Sequence, residues 1–180
     1  VWEKLGATVT NMAAGEIFQA LQSGTLDAAE FVGPYNDLAL GFHQVAKNYY
    51  MPSFVEPGLA TELVVDKKKY QDLPEDLQAI IRDVSQAEYD QVAADFVAND
   101  PRALKTLVEE HGVIVRKFPD DIMEAGAKAS VEVIEELRNS DDPLVKKTAN
   151  SFVEALNLVR TRTEQIDAPF VQAREKYLKY

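Results

Sequence analysis

Glu30 and Glu56 are the two side chains whose type and setting point to chemistry. Glu30 closes a short apolar run and is followed by Phe31, Val32 and a Gly33-Pro34 break. Glu56 sits in a stretch rich in Tyr, Pro and Phe, between Pro52 and Pro57. A proline donates no backbone hydrogen bond and restricts the residue before it, so that stretch is not a regular helix. Carboxylates held by loops at strand ends are where open α/β folds place ligands. Two acids joined by carbonyl oxygens suit a hard cation such as Na+ or Ca2+. The same pair would also serve acid/base or metal-assisted catalysis. The plainer alternative makes Glu30 the end of a strand and Glu56 a solvated loop acid. On side-chain chemistry alone the plainer alternative weighs more.

Other candidates are weaker. Glu16 follows Gly15 at a helix start, where an acid favours the positive end of the helix. Tyr35, Asn36, Tyr49 and Tyr50 offer rings and polar groups for a cleft, but stacking in a hinge between lobes accounts for them better. His43 and His111 are the only histidines, far apart and without metal-site spacing, and each reads as a structural or solvated residue. Ser23, Ser53 and Ser85 lack a nucleophile elbow, and no glycine-rich phosphate loop occurs. Lys67-Lys68-Lys69 reads as a solvated turn before Tyr70, and the acids from Asp120 to Glu136 as a solvated helix face.

The elements that must position these residues alternate in the first half. Thr8 to Asn11 and Leu26 to Val32 read as strands, with a helix from Ala14 to Gln22 between them and Gly24 as its stop. A helix is expected from about Tyr35 to Ala46, then strands at Asn48 to Met51 and Ala60 to Val65. Such alternation implies an α/β layer. The second half is helical. Pro74 opens a long helix that Asn99-Asp100-Pro101 should interrupt, followed by a helix from Arg102 to Glu110. Val113 to Phe118 reads as a strand, and Asp120-Asp121 as the start of a helix to about Arg138. Asp141-Asp142-Pro143 opens another to about Ile166, and Pro169 permits a break before Phe170 to Tyr180. The segments divide as 1–66 with the ligand site, 67–140 completing the lobes, and 141–180 as C-terminal helices.

Composition limits the partners. The net charge of the 180 residues is -11, so a phosphate backbone or an anionic lipid surface is a poor match. A local cation or metal outweighs that global charge for a small anionic ligand. No run of apolar residues is long enough to span a membrane. With no cysteine, disulfides, thiolate catalysis and zinc-thiolate sites are excluded.

One long ungapped run carries a family likeness: Gly15-Glu16-Ile17-Phe18, Ala20-Leu21-Gln22-Ser23-Gly24, Asp27-Ala28, Glu30-Phe31-Val32-Gly33-Pro34-Tyr35-Asn36-Asp37, Tyr49-Tyr50, Pro52 and Glu56-Pro57-Gly58. Leu73-Pro74 and Arg116-Lys117-Phe118-Pro119 extend it more weakly towards the helical tail. In these residues the chain resembles the solute-binding proteins of the tripartite ATP-independent periplasmic (TRAP) transporters. The nearest branch is the one that captures 2-oxo or 2-hydroxy acids, lactate among them, with a metal ion. The resemblance implies a periplasmic-binding-protein lobe of type II character, α/β, with a long helical C-terminal region. It implies a periplasmic binding protein and no enzyme; the alternative is an enzyme using the Glu30/Glu56 pair.

Residue by residue, the resemblance makes Glu30 a metal ligand. It makes Phe31 a metal ligand through its carbonyl and a ring against the substrate, where many relatives have Trp. It makes Glu56, which some relatives replace with Gln, a residue closing the site beside metal and substrate. The implied ion is Na+ or Ca2+, and the implied partners are a small organic acid and TRAP membrane subunits. Phe152, Leu156, Val159, Ile166, Phe170, Val171, Tyr177 and Leu178 give the tail an apolar seam. In this branch the terminal helix swaps onto a second subunit; packing under its own domain is the equal alternative. Family members are roughly twice this length, in line with two lobes of ordinary size. They carry, just upstream of the point matching Val1, an arginine that clamps the substrate carboxylate. The expectation is therefore a C-terminal half that begins inside a helix and binds its solute poorly alone.

Overall fold

The computed structural model describes residues 1–54 and 61–178. The expected strand at Ala60 to Val65 therefore lies partly outside the described residues, as do Glu56 and its neighbouring prolines. The chain forms two compact units, Thr8–Met123, and Val1–Ala7 with Glu124–Tyr180.

In chain order the first unit begins with helix α1 (Ala14–Ser23). Ile17 and Ala20 are buried on one face, and Gly24 ends the helix at φ 74° with its N–H returned to the last turn. Helix α2 (Pro34–Ala39) follows, with Pro34 in its first turn, where a missing N–H costs nothing. It is shorter than the expected Tyr35 to Ala46 helix. Gly41 takes φ 73°, a left-handed conformation that glycine adopts without a Cβ penalty, and a 3-10 turn at Phe42–Gln44 continues the chain. Strand β1 (Asn48–Tyr50), helix α3 (Lys67–Gln71) and the 35-residue helix α4 (Glu75–Glu109) come next. The Lys67-Lys68-Lys69 run is thus helical, and Asp66 caps it by accepting from the Lys69 N–H.

Helix α4 corrects the expected break at Asn99-Asp100-Pro101, since it runs through Pro101 without interruption. Its C-terminal part is the best-packed: Leu107 is 2 % exposed and Ala103 5 %. Helix α2 packs against α4, so tertiary contact holds the helix at the proline where local propensity would stop it. Strand β2 (Ile114–Arg116) pairs in parallel with β1, Tyr49 opposite Val115. These are the expected strands at Asn48 and Val113, shortened at their ends.

Thr8 to Asn11, Leu26 to Val32 and residues 61–65 run without a strand ladder, contrary to expectation. A strand exists by hydrogen bonding to a neighbour. Among the described residues only β1 and β2 provide one for each other.

Helix α5 (Asp120–Arg138) buries Gly126 and Ala129. Helix α6 (Pro143–Arg162) is capped by Asp142, which accepts from the Leu144 N–H at 2.8 Å. Arg138 Nε donates to Asn150 Oδ1 at 3.0 Å, tying α5 to α6. Lys4, in a 3-10 turn at Trp2–Leu5, bridges Glu132 and Glu136 on α5 at 3.1 and 2.8 Å. Helix α7 (Ala168–Tyr177) is joined to α6 by a π-helical turn at Thr163–Asp167. That wider turn is how the chain accommodates Pro169, which has no N–H and crowds the preceding turn.

Candidate functional site

Glu30 and Phe31 lie in an irregular segment between α1 and α2, within the Thr8–Met123 unit. Glu30 is exposed and Phe31 half-buried. The Phe31 ring packs edge-on against Phe42, centroids 5.7 Å apart, and Phe42 is buried. This contact fixes Phe31 beside the turn after α2. Glu56 lies outside the described residues, so no geometry joins it to Glu30.

Helix α2 sits directly behind this segment and is held at both ends of its first turn. The Tyr35 N–H donates to Asp100 Oδ1 on α4 at 3.0 Å. Asp37 is buried, and Tyr49 on β1 donates its hydroxyl to Asp37 Oδ2 at 2.5 Å. Burial pushes the Asp37 carboxyl above its usual range; the Tyr49 hydrogen bond opposes that shift and the nearby Asp100 charge adds to it. The Tyr49 hydroxyl is itself pushed well above the usual phenol range by burial and by Asp37. Tyr35 packs edge-on against Phe96, centroids 6.2 Å apart. Tyr50 packs against Phe118 at 5.0 Å. The aromatic residues expected in a hinge thus serve to fasten α2 and β1 within one unit. Glu16 lies exposed in the first turn of α1, as a helix-start acid.

The two histidines lie far apart in the chain but stack, with ring centroids 4.0 Å apart and planes 25° from parallel. Lys47 Nζ donates to the His111 carbonyl at 2.9 Å. Burial, then the neighbouring His111 and Lys47 charges, lower the His43 pKa. Sequence spacing gave no sign of this pair, because the contact depends on the chain's return through α4. Asp37, Tyr49 and Asp100 likewise form a group that the sequence does not mark: Asp37 and Tyr49 stand in the family-like run, and Asp100 lies far beyond it on α4.

The donors present fit a hard cation. Glu30 offers a carboxylate and Phe31 a backbone carbonyl, both oxygen ligands of the kind Na+ and Ca2+ take. Among the described residues no three His, Asp or Glu side chains cluster closely enough to hold a metal. A cation at Glu30 would therefore need backbone or other oxygens besides a cluster of acidic side chains. A cavity of about 210 Å3 lies beside α2, lined by Tyr35, Leu38, Asn99, Arg102, Ala103 and Thr106.

A small parallel sheet flanked by helices, with carboxylates on the connecting segments, defines an α/β lobe of the periplasmic-binding-protein class. The chain belongs to the DctP family, bacterial extracellular solute-binding protein family 7, which it matches over residues 1–141. It is 33% identical over 141 residues to a monocarboxylate 2-oxoacid-binding periplasmic protein of Nostoc sp., covering 78% of this chain and 38% of that protein. A TRAP periplasmic solute-binding protein of Colwellia psychrerythraea, solved with bound calcium and pyruvate, is 35% identical and superimposes with a TM-score of 0.85. The match covers 94% of this chain and 52% of that one. Another from Pseudoalteromonas atlantica T6c, with bound sodium and pyruvate, gives 34% identity and a TM-score of 0.84, covering 95% of this chain and 52% of that one. The chain thus spans about half the length of the solved structures it matches and less of the curated relative.

Proposed function

We propose that the full-length protein is the periplasmic solute-binding subunit of a TRAP transporter, capturing a small 2-oxo or 2-hydroxy carboxylate together with Na+ or Ca2+. The observation that carries this reading is the likeness, at 35% identity over 94% of the chain, to a solute-binding protein solved with calcium and pyruvate. Glu30 would bind the metal through its carboxylate and Phe31 through its carbonyl, with Glu56 closing the site next to both metal and acid. The exposed setting of Glu30 and the fixed Phe31 ring suit those roles. In this reading residues 1–66 carry the site, 67–140 complete the lobes, and 141–180 are C-terminal helices through which two copies pair.

The protein binds and releases its acid without turning it over, and delivers it to TRAP membrane subunits. No helix among the described residues is long and apolar enough to cross a membrane. Pairing of two copies rests on the tail, where Phe152, Phe170 and Tyr177 are 53 %, 66 % and 72 % exposed. The test is calorimetric titration of the full-length protein with pyruvate, with and without Ca2+ or Na+, followed by recovery of the ligand. Binding with the acid recovered unchanged is the expected result. Chemical conversion of the acid would favour an enzyme using Glu30 and Glu56 instead.

A further inference from the structure

We infer that Asp100 is a positioning residue for the Glu30–Phe31 segment, acting from helix α4 as the cap that α2 cannot supply for itself. The inference rests on the reading of Glu30 and Phe31 as site residues.

The first N–H groups of any helix have no partner within the helix, and a side chain at the cap position normally accepts from one of them. At the start of α2 that position is Gly33, which has no side chain, and Pro34 has no N–H. Tyr35 therefore presents an early orphan donor. Asp100 Oδ1 accepts from it at 3.0 Å, across 65 residues of sequence. The carboxylate also complements the positive end of the helix. Gly33 is what lets it approach: a Cβ at that position would stand 3.3 Å from Asp100 Oδ1 and 3.5 Å from Oδ2. Gly33 is in extended backbone, so the demand on it is one of space and not of conformation.

This hydrogen bond joins the start of α2, next to the site segment, to the long helix, alongside the packing of Tyr35 on Phe96. Glu30, Phe31 and Val32 enter α2 directly through Gly33, so the direction in which the chain leaves Phe31 is set where Asp100 holds Tyr35. The Phe31–Phe42 ring contact holds the same segment from the turn that follows α2. The Asp37–Tyr49 hydrogen bond anchors α2 to β1. Asp100 is a further tether beside the Tyr35–Phe96 ring contact, and it is the one that engages the backbone N–H at the N-terminus of α2, next to the site. Pro101 directly after it removes one helical donor from α4, yet α4 continues unbroken, so Asp100 stays at a fixed place on a rigid element.

The experiment compares Asp100→Ala and Asp100→Asn in the full-length protein. Asparagine keeps an oxygen acceptor for Tyr35, and alanine does not. Amide exchange is read at Tyr35 and across residues 27–36, and pyruvate affinity is read with saturating Ca2+. Ala129→Gly on α5 serves as a control whose loss of stability does not touch α2. The expected result is faster exchange at Tyr35 and about a fivefold to tenfold weaker affinity in the alanine variant, the size of a lost cap. The asparagine variant should keep both within about twofold, and the control should keep both despite a lower melting temperature. Unchanged exchange at Tyr35 in the alanine variant overturns the inference, as does equal weakening by asparagine and alanine. If Tyr35 exchange responds as described but the unaltered protein binds no 2-oxo acid, the cap stands and the functional reading of the site fails.

Discussion

Asp37 shows how a single buried group can be anchored and still carry a cost. Its carboxyl is buried, one oxygen accepts from Tyr49, and the other finds no hydrogen-bond partner among the described residues. Its folded pKa lies above the ordinary value of 3.8 because burial disfavours the charged form. The folded state therefore holds the Asp37 proton more tightly than the unfolded chain does. The stability this contributes is fully present below pH 3.8 and is lost as pH rises through the raised folded value. Asp37→Asn keeps an acceptor for Tyr49 and removes the ionisation. Urea unfolding should show the variant gaining stability over the unaltered protein as pH rises above the ordinary value of 3.8, in the direction the raised pKa requires. Tyr49→Phe should do the opposite at neutral pH, costing about 1–3 kcal/mol by leaving a buried carboxylate without its donor. An Asp37→Asn variant whose advantage shrinks as pH rises would contradict the assignment.

The helices were largely legible in sequence at the scale of elements, because apolar spacing, Pro74, Gly24 and the Asp-Pro start at Asp142 are local signals. The α1, α5 and α6 boundaries fall close to where those signals put them. Thr8 to Asn11, Leu26 to Val32 and residues 61–65 form no strand for one reason: alternation shows that a segment can pair, not that a partner lies beside it. The early end of α2 followed from Gly41 adopting a left-handed turn, a conformation the sequence permits without requiring. Glu30 and Phe31 were legible as candidates because a family pattern surrounds them. The Asp100 cap and the His43–His111 stack were not, since both depend on contacts that the chain makes only once α4 returns past α2.

Pro101 tests the element scale directly. It sits inside α4 without the N–H that would bond to the Val97 carbonyl. Pro101→Ala restores that donor, so the chain should become more stable by about 1–3 kcal/mol, less a fraction of a kcal/mol for the freer unfolded state. For a protein of this size that is about 2–4 °C of melting temperature per kcal/mol. A lower melting temperature would mean that the proline shapes α4 in a way its packing needs.

The tail poses the question for the molecule as a whole. Phe152, Leu156, Val159, Ile166, Phe170, Val171, Tyr177 and Leu178 are all exposed along α6, the π turn, α7 and the residue that follows it. So many large apolar side chains exposed along one tail mark an association surface more often than a solvated one. Deleting residues 167–180 from the full-length protein should convert a dimer at micromolar concentration into a folded monomer by sedimentation. A monomer before deletion, or a dimer after it, would contradict the pairing.

The central claim is that Glu30 helps hold a cation through which an organic acid is captured. The direct measurement is titration of the full-length protein and its Glu30→Gln and Glu16→Gln variants with pyruvate, with and without Ca2+ or Na+. Glutamine keeps the shape of glutamate but removes the negative charge a hard cation requires. The account predicts metal-dependent binding that falls at least tenfold in Glu30→Gln and stays within about twofold in Glu16→Gln, a difference of more than about 1.4 kcal/mol. Binding indifferent to added metal, or a larger loss in Glu16→Gln than in Glu30→Gln, would contradict it.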